Sequence, residues 1–261
     1  MRPHGIDFGR YTTWARNENP PQPVDFVIAG LTSGNYTVPT FEANKDVLLK
    51  EKRKMAYHFY EPNYTALVQA DLATLRGELI GAQAYWIDWE DTSYHTLDGS
   101  DVAKVRDIYT ILKKRHKNVG VYSNLDDFTM IQRYDPELAN EVEWWMAYPD
   151  NYPDRTDYPG TWGSKINRGF DTIRFLQYSW SGDAQLYGAT NDKKSMDEDV
   201  FLGTMDELDA WLGITVEPPP TGCAEILKEL MTLKKMNKDV RQGLLMVRDQ
   251  IDLIIDKVKG E

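Results

Sequence analysis

Two carboxylates two residues apart, Asp88 and Glu90, close the apolar run Ala84-Tyr-Trp-Ile-Asp-Trp-Glu90. In a strand, positions i and i+2 share a face, so the two acids point together while Ile87 and Trp89 point the other way. Their Cα atoms then lie about 7 Å apart. Repulsion between such neighbours, with partial burial, raises one pKa and leaves the other group ionised. A protonated acid beside a carboxylate is the pairing that cleavage of a glycosidic bond requires. The same spacing also occurs on plain solvated strand faces. Here the flanking Tyr85, Trp86, Ile87 and Trp89 are too apolar for an edge strand in water, and carboxylates among them need a purpose or a partner.

Two further acids fall near candidate strand ends. Asp7 sits in His4-Gly-Ile-Asp-Phe-Gly9, where a turn or capping role is the alternative, and Asp197 precedes Val200 and Phe201 on the last candidate strand. Tyr60, Tyr122, Trp145, Tyr148, Tyr178 and Trp180 recur at or just past strand ends. Flat aromatic faces stack on sugar rings, although each of these residues singly is more often a packing residue than a binding one. His4, His58, His95 and His116 are too scattered for a metal cluster; His58 can face a barrel interior, where a packed, hydrogen-bonded role is the simpler one.

What must position these residues is a repeating rhythm of short β-branched or aromatic runs followed by polar, helix-like segments. Strands are expected at Gly5–Gly9, Val24–Leu31, Lys54–Tyr60, Ala82–Glu90, Asn118–Ser123, Glu141–Tyr148, Ile173–Tyr178 and Met196–Phe201. Helices are expected at Thr40–Arg53, Tyr64–Ile80, Ser100–Lys117 and Met205–Leu212. The stretch from Tyr148 to Gly169, rich in Pro, Gly, Asp and Tyr, has no helical period. The pattern predicts an α/β fold, an irregular TIM-like (β/α)5(β)3 barrel over residues 1–214, regular in its first half. Such barrels carry their reactive groups at the C-terminal strand ends. Closure makes the last strand a neighbour of the first, which brings Asp197, Asp7 and the Asp88/Glu90 pair to one rim.

The chain has 261 residues with 41% hydrophobic content, enough for one large core and an appendage. Its net charge of −11, with no basic run to track a phosphate backbone, argues against a nucleic-acid partner. A single cysteine, Cys223, excludes an intrachain disulfide framework. No apolar run reaches membrane-spanning length, and Met-Arg-Pro-His-Gly-Ile-Asp does not look like a secretory signal.

Composition changes at residues 215–221, around Glu217-Pro-Pro-Pro220, a proline spacer that favours extended backbone. In residues 222–261, Cys223, Leu230, Asn237, Leu244, Ile251 and Val258 occupy one heptad position. Ile226, Leu233, Val240, Val247 and Ile254 follow the first five of these by three. That a/d stripe predicts a coiled-coil helix making a homo-oligomer through residues 223–258, with Asn237 fixing register; a helix docked on the barrel is the alternative.

Taken in order, Gly5-Ile-Asp-Phe8, Val24-Asp-Phe-Val-Ile-Ala29, Tyr57-His-Phe-Tyr-Glu-Pro62, Ile87-Asp-Trp-Glu90, Val121-Tyr-Ser-Asn124, Trp145-Met-Ala-Tyr148, Phe175-Leu-Gln-Tyr-Ser179 and Asp197-Glu-Asp-Val-Phe201 carry a resemblance. The chain resembles the glycoside hydrolase family 25 lysozymes, N-acetylmuramidases that include phage endolysins, over roughly residues 4 to 213. The resemblance implies an enzyme cutting the β-1,4 bond between N-acetylmuramic acid and N-acetylglucosamine in peptidoglycan, without metal or organic cofactor. It makes Glu90 the general acid, Asp88 the carboxylate that stabilises the transition state or orients the N-acetyl group, and Asp7 and Asp197 the further acids of the cleft. An endolysin of this kind waits in the cytoplasm until released to the wall; otherwise secretion needs another route. A silent glycan-binding or virion module on the same barrel is the alternative. The chain departs from the family at Gly9-Arg-Tyr-Thr-Thr-Trp14, at bulky Trp86 and Trp89, and in the heptad tail, where family enzymes from phages often carry wall-binding repeats.

Overall fold

The computed structural model describes residues 2–14, 23–91, 96–148, 172–190 and 194–215. The chain divides into two compact units, Met1–Thr215 and Val216–Glu261. The proline run and the heptad segment, with the coiled coil and the oligomer expected from them, lie outside the described residues.

The first half of the barrel unit runs β1 (His4–Phe8), β2 (Thr13–Trp14), β3 (Phe26–Ser33), β4 (Tyr36–Thr37), α1 (Phe41–Lys50), β5 (Lys54–Phe59), α2 (Ala66–Ile80), β6 (Tyr85–Asp88) and α3 (Gly99–Arg115). The second half runs β7 (Val119–Ser123), α4 (Leu125–Tyr134), α5 (Pro136–Glu141), β8 (Glu143–Ala147), β9 (Ile173–Asp183), β10 (Ala189–Thr190), β11 (Ser195–Phe201) and α6 (Met205–Leu212). All eight expected strands are present. They close in the order β1-β3-β5-β6-β7-β8-β9-β11, and β11 pairs back with β1. Every barrel pairing is parallel except the two made by β11, which is antiparallel to both β9 and β1.

Strands covered by helices on one side and by barrel filling on the other must be apolar on both faces. The sequence obeys this, since β3 is buried at all eight positions and β6 at all four. Outward residues such as Ile6, Val27, Ile87, Val121 and Leu176 pack beneath the helices. Inward residues Phe26, Trp86, Trp145, Phe175 and Phe201 form a separate cluster inside, and Leu208 and Leu212 of α6 belong to it. The rings meet edge to face: Phe26 and Phe175 are 5.2 Å apart, and Trp86 and Phe175 5.4 Å. Each such side chain, fully buried, contributes about 1.5–3 kcal/mol. Gly120 makes room for Trp86, because a Cβ there would lie 2.3 Å from the indole.

The helices α4 and α5 between β7 and β8 correct the sequence reading, which placed no helix there. They are ten and six residues long, and Asp135 and Pro136 interrupt the apolar period between them. Their ends are written in capping chemistry instead. The Asn124 side chain accepts from the backbone N–H groups of Asp126 and Asp127, and Asp135 caps α5. Two other helices are fixed in a related way: α3 and α6 both open on capping boxes, Asp98 with Asp101 and Thr204 with Glu207. Among the described residues no helix is long and apolar enough to cross a membrane.

Candidate active site

The aromatic filling occupies one end of the barrel. At the other end, where the parallel strands finish, an open cleft of about 1000 Å³ is lined by Asp7, Tyr57, Asp88, Glu90, Tyr122 and Asp197, among others. Period-two alternation delivers these groups. Trp86 points inward to the filling, so Asp88 and Glu90 point inward above it, while Ile87 and Trp89 face the helices.

The Asp88/Glu90 segment is held along its backbone. The Tyr60 N–H donates to the Asp88 carbonyl and the Trp89 N–H to the Tyr122 carbonyl, each at 3.0 Å. Just beyond Glu90, the Asp91 N–H donates to the Asp127 carboxylate at 3.0 Å. Asp88 is 7% exposed, and its Oδ1 is buried without a hydrogen-bond partner among the described residues. Burial, then the charge of Glu90, raises its pKa well above the ordinary carboxylate range. Glu90 lies further out. Burial, followed by the charge of Asp127, pushes it up to about 7. Two acids so placed titrate as a unit, and burial with mutual repulsion keeps a proton on the pair near neutrality.

Closure brings the remaining acids in. Asp7 and Asp197 are cross-strand partners in the β1–β11 ladder. Asp7 is buried and accepts from Gln177 Nε2 at 2.8 Å. Burial, the charges of Asp199 and Asp197, and hydrogen bonding with Asp199 raise it well above its usual range. Tyr57, on β5, also lines the cleft, and its position depends on Gly30: a Cβ there would sit 2.4 Å from the phenol ring.

No protein-family model matches the sequence, and no curated protein sequence does. Solved structures do match. A bacterial lysozyme from Streptomyces coelicolor superposes with a TM-score of 0.61 at 18% identity, covering 82% of this chain and 99% of its own. A lysozyme of glycoside hydrolase family 25 from Aspergillus fumigatus gives 0.59 at 18%, covering 81% and 99%. The catalytic domain of an endolysin from a Listeria monocytogenes bacteriophage gives 0.57 at 14%, covering 82% and 98%. The fold is that of the family 25 lysozymes.

Within this lysozyme fold, the aromatic residues expected at the rim divide. Tyr122 and Trp145 line the cleft, their rings 4.4 Å apart. Trp180 also lines it and is 56% exposed, with its indole donating to Gln177 Oε1 at 2.6 Å. Tyr60 borders the cleft but is spent on structure: its ring stacks on Trp89, and its hydroxyl donates to Asp101 at 2.6 Å. Tyr178 does not reach the cleft. Gln177 takes the inward position of β9, which leaves Tyr178 on the outer face edge-on to His4. Tyr148, past the end of β8, also packs against the outer core and is not among the lining residues. His58 likewise faces outward, bonded to Thr32 and to Gln69 of α2, and burial lowers its pKa to about 4.

Three polar residues in or just beneath the cleft carried no assigned role in the sequence: Tyr57 and Gln177, which line it, and Asp199, wholly buried below. The alternation that places Asp88 and Asp197 inward marks all three as inward too. Of the departures from the family, Trp86 belongs to the barrel filling and Trp89 to the outer face. The segment after Gly9 is clamped by β2 pairing with β10 and by Trp14, whose indole donates to the Tyr187 carbonyl at 2.7 Å. That clamp sets Arg10 and Tyr11 at the cleft edge.

Proposed function

We propose that this barrel is a peptidoglycan hydrolase that cuts the β-1,4 bond between N-acetylmuramic acid and N-acetylglucosamine by carboxylate acid catalysis. The observation that carries the proposal is Glu90, pushed up to about 7 beside Asp88 in the open cleft of a fold shared with lysozymes. An acid with a pKa near the working pH is protonated often enough to donate and ionised often enough to take a proton back.

Glu90, the outer member of the pair, is placed to protonate the glycosidic oxygen. Asp88, deeper and with an orphaned Oδ1, suits an N–H donor supplied by substrate, such as that of an acetamido group, and stabilises the cationic transition state. Asp7 and Asp197 line the same cleft, while Tyr122, Trp145 and Trp180 offer faces and edges to sugar rings. Among the described residues lining the cleft, Arg10 is the sole Lys or Arg. It suits the acidic groups borne on muramic acid and its peptide.

The test is digestion of purified peptidoglycan by the wild type and by Glu90→Gln, with identification of the new reducing ends. Muramic acid ends released by the wild type alone support the assignment. Intact glycan that still retains the protein would point to a silent binding module instead.

A further inference from the structure

Asp199 is wholly buried inside the barrel, two residues beyond Asp197 and on the same face of β11. Its cross-strand partner is Gly5, so no side chain separates it from Asp7 on the neighbouring strand. Its Oδ1 accepts from the Trp145 indole at 2.8 Å, whereas its Oδ2 is buried with no N–H or O–H donor in reach among the described residues. The Asp7 carboxyl, two residues along on the adjoining strand, interacts with it directly. An ionised carboxylate is acceptor-only, so two ionised carboxylates so placed would leave facing acceptors in a dry site. A proton between them removes both the repulsion and the orphan.

The far side of Asp7 is equally determined. Trp180 can only donate, so the end of Gln177 that meets its indole is the oxygen. The Gln177 nitrogen is therefore the end that donates to Asp7 Oδ2. The same Gln177 oxygen accepts from the Tyr122 hydroxyl at 2.9 Å. Tyr122 has one proton, and giving it to Gln177 turns its oxygen lone pairs toward other donors in the cleft, where Glu90 is its neighbour.

We propose that Asp199 is a positioning residue that shares a single proton with Asp7 and so keeps Asp7 Oδ2 as the acceptor which, together with Trp180, fixes the Gln177 amide and through it the direction of the Tyr122 hydroxyl beside Glu90. The shared proton means the Asp7/Asp199 pair bears one negative charge where the sequence shows two carboxyls. Its consequence for catalysis rests on the hydrolase assignment above; the shared proton itself does not.

Asparagine at 199 separates the two. Its oxygen can still accept from Trp145 and its amide can donate to Asp7, so Asp199→Asn keeps the hydrogen bonds and the net charge but removes the proton. Infrared spectra at neutral pH are expected to show one protonated carboxyl fewer in Asp199→Asn than in the wild type. Peptidoglycan turnover should fall roughly tenfold in kcat with little change in KM for Asp199→Ala, and return to within about threefold of wild type in Asp199→Asn. An unchanged protonated-carboxyl band in Asp199→Asn overturns the shared proton, and equal kcat losses in the Ala and Asn variants overturn the positioning role. If the wild type fails to cut peptidoglycan, the hydrolase assignment falls, and the spectra still decide the shared proton.

Discussion

Two of the regions in which the barrel buries carboxylates treat them in opposite ways. Below the aromatic filling, Asp209 of α6 is clasped by Arg53, whose Nη2 donates at 2.9 Å, with Lys52 at 3.5 Å. The Arg53 hydrogen bond holds the Asp209 pKa below its ordinary value. In and just beneath the cleft, buried Asp7, Asp88 and Asp199 and half-buried Glu90 are paired with no such cation among the described residues, and all four pKa values are raised. A carboxylate that only joins α6 to the barrel is given a cation. Those that could exchange protons are denied one, at a cost in stability that the packed core must offset.

The sharpest way to break this contrast is Glu90→Gln. If the cleft acids are the chemical ones, turnover of peptidoglycan should fall about 10²–10⁴-fold, while the melting temperature stays level or rises because a repelled carboxyl has been removed. A variant that keeps half of its wild-type turnover takes Glu90 out of the acid role.

The opposite result is expected at the other end. Arg53→Ala strands Asp209 without its main partner and should lower stability by about 3 kcal/mol, read from the midpoint of urea unfolding. Per-molecule activity below the transition should hold. A loss of activity with unchanged stability would mean that the two regions are not independent.

The two regions also predict opposite pH limbs. Glu90 has a folded pKa raised from 4.5 to about 7, so its contribution to stability is complete below about 4.5 and lost as pH rises through about 7. Asp209 has a lowered folded pKa, so its contribution is present above the ordinary value of 3.8 and is lost as pH falls through the folded value. Thermal melts taken from acid to neutral pH should therefore flatten on the neutral side in Glu90→Gln and on the acid side in Asp209→Asn. The activity profile of the wild type should share the upper limb, since a donor that has lost its proton cannot protonate the leaving oxygen. Melts of Glu90→Gln that track the wild type through neutrality would refute the raised pKa.

How much of this contrast is legible in the sequence depends on what sets each feature. Eight strands follow from apolar runs, and the inward direction of Asp88, Glu90, Asp7 and Asp197 follows from alternation once closure is assumed. Tyr178 shows the limit: it ends a strand as Tyr122 does, but one residue out of phase with the inward Gln177, and phase depends on where pairing begins. The helices α4 and α5 are hidden because capping by Asn124 and Asp135, rather than a long apolar period, defines them. Asp199 sits in plain sight two residues after Asp197. Its significance depends on Gly5 across the ladder and Trp145 on a distant strand, which a one-dimensional pattern cannot pair.

The smallest expected effect lies at the cleft edge, where the acidic region meets Arg10. This residue donates to the Tyr36 hydroxyl at 3.1 Å and to the Tyr11 hydroxyl, and its guanidinium lies 4.6 Å from the Tyr11 ring centroid. Two tyrosines therefore hold the fork in place while leaving donors over, and a guanidinium has five N–H groups to share. An exposed pairing with a substrate carboxylate is worth about 1 kcal/mol or less. Arg10→Ala should accordingly raise KM for peptidoglycan up to about fivefold with kcat little changed, and the increase should shrink at high salt. On an uncharged oligomer of N-acetylglucosamine, the same substitution should change nothing. Equal losses on both substrates would show that Arg10 shapes the cleft wall rather than reading charge.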